Sequence, residues 1–294
     1  MIRAALKMIR IPIRVHGWGG LGSQIFACVV AKRLATLFPA RKVVLIFHSS
    51  GVTRRSIEVP QEFTFGLTVI TQDDFYPWSK EGGGIILQPT RISQIRNRVT
   101  LLFERIGLLA RLNTEQEFSK LKPHVYEVRG HYTQILLTSE EVSWVANCLD
   151  ISATAKELQN QSPAALHLRL GDLLTLKSKT HINLSRLSSA IRLISPQREV
   201  IVFSDSEPSE VEDLLRESFN GIEYRVRMEP ALNVIQESAL CEIFVGTNSK
   251  ISLWIAIIRR GLSLGNITML PKEISLQLEK LVPEPRSIPL TLEY

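Results

Sequence analysis

Ala164-Ala165-Leu166-His167-Leu168-Arg169-Leu170-Gly171-Asp172 opens as a short apolar run and closes on a glycine and a carboxylate, the pattern of a buried strand entering a turn. Strand alternation puts Leu166, Leu168 and Leu170 on one face and His167 and Arg169 on the other. An imidazole and a guanidinium on a buried strand are costly unless a partner meets them. The planar fork of Arg169 suits the paired oxygens of a diphosphate. An internal ion pair between Arg169 and Asp172, with His167 as a satisfied core histidine, answers the same requirement. The spacing leaves both readings open.

Downstream, strand patterns recur at Val200–Phe203, Tyr224–Val226, Ile243–Val245 and Ile267–Met269, with helical patterns over 184–194, 208–218, 231–240 and 250–260. This alternation predicts a five-stranded, doubly wound parallel unit with its ligand at the carboxyl ends of the strands. Two further strand ends are polar. One runs into Ser204-Asp205-Ser206-Glu207, the other into Gly246-Thr247-Asn248-Ser249-Lys250-Ile251-Ser252. The second is a helix start rich in hydroxyls, suited to an anion. Together they predict a nucleotide-diphosphate site. Ser204–Glu207 also reads as a D-x-E metal site, but no second carboxylate partner is evident. Arg169 can neutralise a departing diphosphate alone, so neither metal nor cofactor is expected.

In the first half, Ile11–His16, Lys42–Phe47 and Val125–Val128 read as strands, and Ser23–Phe38 as a helix with Ser23 as its N-cap. Loops and short elements are expected over 49–84. Gly17-Trp18-Gly19-Gly20-Leu21-Gly22 satisfies G-x-G-x-x-G between strand and helix. A dinucleotide site also wants an acid at the end of the second strand, and Phe47-His48-Ser49-Ser50 has none. That weakens an NAD(P)-dependent oxidoreductase reading. A turn that simply needs positive φ, or one whose backbone lines a cleft and presents Ser23 and Gln24, remains. The seam near 150–163 divides the chain into lobes 1–155 and 156–294, with the last helix expected to be able to pack back on the first lobe.

The 294 residues are 45% hydrophobic and 22% charged, which excludes disorder and collagen-like repeats. Three distant cysteines (Cys28, Cys148, Cys241) exclude a disulfide scaffold. A net charge of +6 suits acidic ligands; no nucleic-acid partner is expected. No apolar run is long enough to span a membrane, and the first residues read as a strand rather than a signal peptide, so a cytoplasmic location is expected. The segment 91–111 carries Arg91, Arg96, Arg98, Arg105 and Arg111 among apolar residues. It reads as an amphipathic helix with a solvated basic face, or as an interfacial helix on the inner face of a membrane.

The order of motifs resembles glycosyltransferase family 11, the α-1,2-fucosyltransferases. Gly19-Gly20-Leu21-Gly22-Ser23-Gln24-Ile25-Phe26, Gly130-His131-Tyr132-Thr133-Gln134, His167-x-Arg169-x-Gly171-Asp172, Phe203-Ser204-Asp205 and Thr247-Asn248-Ser249-x-x-Ser252-x-Trp254 follow one another from about residue 16 to 262. The resemblance implies a GT-B-like fold, two Rossmann-like lobes with a cleft between them. It also implies metal-independent, inverting transfer of L-fucose from GDP-fucose to a glycan or lipid-linked glycan hydroxyl in surface polysaccharide or glycan synthesis. It implies catalytic roles for Arg169, Asp172 and Ser23, and donor contacts from His167, Arg169, Asp205, Asn248, Ser249, Ser252, Gly20 and Gly22. Arg169 would grip the β-phosphate, His167 the nucleoside side, and Asp205 the guanine edge. The sequence departs from the family at Leu170 (usually a second arginine), Ser23 (asparagine), Ser206 (aspartate) and Leu253 (tryptophan). Those departures keep a second reading alive, a GT-B-like nucleotide- or carbohydrate-binding protein without catalysis. Asp172, Glu58 and Glu62 are the candidate general bases.

Overall fold

The computed structural model describes residues 11–49, 56–72, 99, 101–151, 164–170, 183–194, 199–282 and 290–293. The chain divides into two compact units, Met1–Ile135 and Leu136–Tyr294. Each is built on a wholly parallel sheet, the α/β class that the alternating pattern requires.

In the first unit, β1 (Ile13–Trp18) leads into α1 (Leu21–Leu37) and then β2 (Val43–His48), β3 (Thr68–Gln72), β4 (Leu109–Arg111), α2 (Glu115–Ser119) and β5 (Glu127–Arg129). The sheet order is β3-β2-β1-β5-β4, parallel throughout. β2 is buried along its whole length, as a strand covered on both faces should be. α1 lies directly on β1 because Gly17 has no side chain: a Cβ there would stand 2.8 Å from that of Ala27. The three expected strands form, each one to two residues later than the sequence pattern suggests. β3, a largely exposed edge strand, falls in the stretch expected to hold loops and short elements; β4, which spans only three residues, has no counterpart in the sequence pattern. Of the basic segment, residues 99 and 101–105 are helical as expected, but the helix does not reach Arg111, which lies in β4 and pairs with Glu104. Arg91, Arg96 and Arg98 lie outside the described residues.

The second unit runs α3 (Ser139–Cys148), β6 (Ala164–Leu168), α4 (Leu184–Ile194), β7 (Val200–Ser204), α5 (Pro208–Leu215), β8 (Tyr224–Met228), α6 (Ala231–Leu240), β9 (Ile243–Gly246), α7 (Lys250–Leu262), β10 (Ile267–Leu270), α8 (Lys272–Leu281) and β11 (Leu290–Glu293). Its sheet has six strands, not five: Ile267↔Leu290 pairing adds β11 at the edge beside β10. The order β8-β7-β6-β9-β10-β11 is the doubly wound nucleotide-binding order, in which the chain leaves the central strand first one way and then the other. Leu166, Leu168 and Leu170 pack with Leu187, Ile191, Val211 and Leu215 in one core, on the face that alternation predicts.

The boundary at residues 135–136 corrects the expected seam at 155. α3 is held by a capping box at Thr138 and packs on α7, so closely that a Cβ on Gly261 would meet Val142 at 2.5 Å. α3 therefore belongs to the second core. The last helix packs within its own unit: α8 lies on α7, and Leu281 O accepts the Leu137 N–H at 2.9 Å. Among the described residues, no helix is long and apolar enough to cross a membrane.

Candidate functional site

The order of the second sheet reverses between β6 and β9, and open parallel sheets bind ligands beyond the carboxyl ends of strands at such a point. β6 and β9 align His167 with Gly246. The chain beyond both strands is stitched together there. Thr247 Oγ1 donates to the His167 carbonyl (2.9 Å) and accepts the Arg169 N–H (3.3 Å). On the other side, Asp205 Oδ1 accepts the Leu170 N–H at 2.8 Å, which ties the end of β7 to that of β6. Gly246 is required at this junction, because a Cβ would lie 2.8 Å from Ser252 Cβ and 2.9 Å from Leu270 Cδ2.

α7 begins at the same place. Ser249 is its N-cap and accepts the Ser252 N–H at 3.0 Å; Ser252 Oγ accepts the Thr247 N–H at 3.0 Å. Both hydroxyls turn inward onto His167, whose Nδ1 lies 2.8 Å from Ser252 Oγ and 3.3 Å from Ser249 Oγ. Burial holds the His167 pKa down at about 4, with the Arg169 charge acting in the same direction and Asp205 against it. The ring is therefore neutral at pH 7. Lys250, the first residue of α7, has its pKa lowered to about 8, first by burial and then by Arg169. Two cationic side chains, both half-buried, thus stand within electrostatic reach of each other beside the positive end of a 13-residue helix. Such a concentration of positive potential suits an anion of multiple charge.

The expected site residues separate into three groups. His167, Arg169, Asp205, Asn248, Ser249 and Ser252 do converge on this strand edge. Asn248 and Asp205 are exposed, whereas Ser249 and Ser252 are buried and bonded to His167, which corrects their assignment as direct phosphate or sugar contacts. Asp172 lies outside the described residues. Ser23, Gly20 and Gly22 belong to the other unit, at the turn after β1. Lys250 and Thr247 carried no expected role. A lysine at a helix start reads as solvated surface, and only the neighbouring strand end shows what it faces.

The glycine turn of the first unit differs from its expected form. α1 starts at Leu21 with Gly20 as N-cap, so Ser23 sits in the first turn and is not the cap. Its Oγ packs under Gly19, whose φ of +83° favours glycine. Gln24 is not presented to a ligand. Its amide donates to the carbonyls of Gly19 (2.9 Å) and Ser56 (2.8 Å), and its oxygen accepts the N–H groups of Glu58 (2.8 Å) and Val59 (3.3 Å). This brings Glu58 to the helix start, where Oε2 accepts the Leu21 N–H at 3.0 Å. A carboxylate thus occupies the place where a dinucleotide's pyrophosphate would bind. With the missing acid after β2, this removes the basis for an NAD(P)-dependent oxidoreductase.

Beyond that turn, the face of the first sheet holds a buried polar row. His16 Nδ1 and His48 Nε2 are 2.8 Å apart, and His16 Nε2 is 3.0 Å from Glu127 Oε1. Arg129 Nε donates to the same carboxylate at 2.7 Å, and burial lowers the Arg129 pKa to about 10. Tyr132, at φ 58°, donates to the His16 carbonyl at 2.7 Å. Within this row the Arg129 guanidinium and the Glu127 carboxylate form an ion pair.

No family model matches the sequence, and no curated protein matches it. Solved structures do resemble the chain. A glycosyl transferase of family 9 from Veillonella parvula is 10% identical, with 96% of this chain and 87% of that one covered, at a TM-score of 0.44. The ADP-heptose lps heptosyltransferase II of E. coli is 11% identical, with 97% and 90% covered, at 0.43. The fucosyltransferase NodZ from Bradyrhizobium is 15% identical, with 93% of each chain covered, at 0.39. At these identities and scores, the likeness is one of overall chain trace.

Proposed function

We propose that the protein is a glycosyltransferase that binds a nucleoside-diphosphate sugar at the carboxyl ends of β6 and β9 and transfers the sugar to a glycan hydroxyl. The observation that carries this reading is the pairing of Arg169 and Lys250 with the start of α7 at the switch point of a doubly wound sheet. In the reaction, the acceptor oxygen bonds to the anomeric carbon as the bond from that carbon to the diphosphate breaks on the opposite face. The hydroxyl proton passes to a base or to solvent. Negative charge grows on the leaving oxygen, and Arg169, Lys250 and the N–H groups of α7 stabilise it most strongly at that stage.

The ordered motifs that resemble family 11 support L-fucose, carried by GDP, as the sugar transferred. They also support inversion at the anomeric carbon. Asp205 has one carboxylate oxygen on the Leu170 N–H and stands where the resemblance places a contact to guanine. Leu170 is buried in the core, so the absence of a second arginine at that position removes no charge from this edge.

Thermal-shift measurements against GDP, UDP, CMP, dTDP and NAD test the reading. A nucleoside diphosphate at a hundredfold excess over Kd should stabilise the fold by about 2.7 kcal/mol, with GDP giving the largest shift and NAD none. Turnover of GDP-fucose with hydroxyl-rich acceptors then separates an enzyme from a binding protein. Stabilisation by NAD alone, or by no nucleotide, would refute the reading.

A further inference from the structure

The hydrogen bonds around His167 fix more than its position. Three polar atoms meet: His167 Nδ1, Ser252 Oγ and Ser249 Oγ, at 2.8, 3.3 and 3.3 Å from one another. Between them they have two hydroxyl protons to place. Ser252 Oγ already accepts the Thr247 N–H, and Ser249 Oγ already accepts the Ser252 N–H. If Nδ1 is an acceptor, the Ser249 proton goes to Ser252 Oγ and the Ser252 proton goes to Nδ1, and every donor is used. If Nδ1 carried the proton, it would donate to Ser252, Ser252 would donate to Ser249, and the buried Ser249 proton would have no acceptor within the cluster. Buried donors without acceptors are costly, so the first arrangement holds. It places the ring's own proton on Nε2. His167 is 7% exposed, and Nε2 has no hydrogen-bond partner among the described residues.

We propose that Ser249 and Ser252 are positioning residues that lock His167 in its Nε2–H form, making it a neutral hydrogen-bond donor to a diphosphate oxygen of the bound nucleotide. The assignment rests on the nucleotide reading above. Among the described residues, Ser249 and Ser252 from α7 meet the ring, and the charges acting on it are Asp205 after β7 and Arg169 beyond its own strand. Burial keeps the proton count on the ring constant through neutral pH, so this donor supplies direction without charge. Charge comes from Arg169 and Lys250.

Nitrogen-15 NMR of the histidine-labelled full chain, with GDP as the probe, tests the lock. His167 should show a protonated Nε2 and an unprotonated Nδ1, unchanged from pH 5.5 to 8, and saturating GDP should move the Nε2 signal. Ser252→Ala and Ser249→Ala should each mix the two tautomers and weaken GDP binding about three- to tenfold, the loss expected for one oriented hydrogen bond. Ser252→Ala leaves the helix cap in place, and the wild-type spectrum needs no variant to fold. A protonated Nδ1, a ring that titrates near 6.5, or GDP binding that leaves the Nε2 signal unmoved would overturn the proposal while the nucleotide reading stood. A wild-type protein that binds no GDP but shows the expected tautomer would bring down the nucleotide reading and its diphosphate contact, with the serine lock intact.

Discussion

The two sheets share a design and use their switch points differently. In the first unit, the carboxyl ends of the strands are closed on themselves: Glu58 occupies the start of α1, Gln24 spends its amide on four backbone groups, and Glu127 lies between Arg129 and His16. In the second unit, the corresponding edge gathers cations and a neutral ring, and Asp205 accepts a backbone N–H there. A glycine and a helix start occur at both edges. The chemistry is decided by the charge delivered to the helix N-terminus, a carboxylate in one case and Lys250 with Arg169 in the other. An anion should bind at the second edge and be repelled from the first.

Arg169→Ala should break this contrast most severely. Removing a cation that stabilises developing charge on the leaving diphosphate should slow sugar transfer by about 10²–10³-fold, read as kcat with saturating acceptor. Turnover within tenfold of wild type would show that the second edge does not hold the leaving group.

The neutral His167 predicts a pH signature of stability. Its pKa is near 4 in the fold against 6.5 unperturbed, so as pH falls the unfolded chain takes up the proton first. The stability associated with the neutral ring is complete above about pH 6.5 and is lost as pH falls toward 4, by roughly 3 kcal/mol. Urea unfolding at pH 7 and pH 4.5 should show this loss, and His167→Gln should lessen it.

For the first edge, Gln24→Ala should destabilise the protein by roughly 1–3 kcal/mol, because it strands the Glu58 and Val59 N–H groups. Nucleotide affinity should not change. The smallest effect concerns Lys250. Lys250→Gln should weaken GDP binding about tenfold, in the range of one charge-assisted hydrogen bond. In the wild type, affinity should fall as pH rises through about 8, where the free lysine loses its proton; in the variant, that fall should disappear. Calorimetric titration from pH 7 to 9.5 reads both.

Much of the second unit is legible in the sequence because its strands are short, mostly apolar and alternate with helices, and because alternation along β6 sorts leucines from His167 and Arg169. What escapes is any role set by a partner far along the chain. The internal use of Ser249 and Ser252 depends on strand register between β6 and β9. Gln24 looks like a presented amide until residues 56–59 fold over it. The unit boundary was misplaced because α3 precedes the Ser162-Pro163 seam in sequence but packs on α7 in space. β11 escaped because a four-residue edge strand makes little pattern of its own.

The most direct test of the contrast is calorimetric titration with GDP of three proteins side by side: wild type, Arg169→Ala and Gln24→Ala. The account predicts equal binding by wild type and Gln24→Ala, and binding at least tenfold weaker by Arg169→Ala. Loss of binding in Gln24→Ala with Arg169→Ala unaffected would place the nucleotide at the first edge and contradict it.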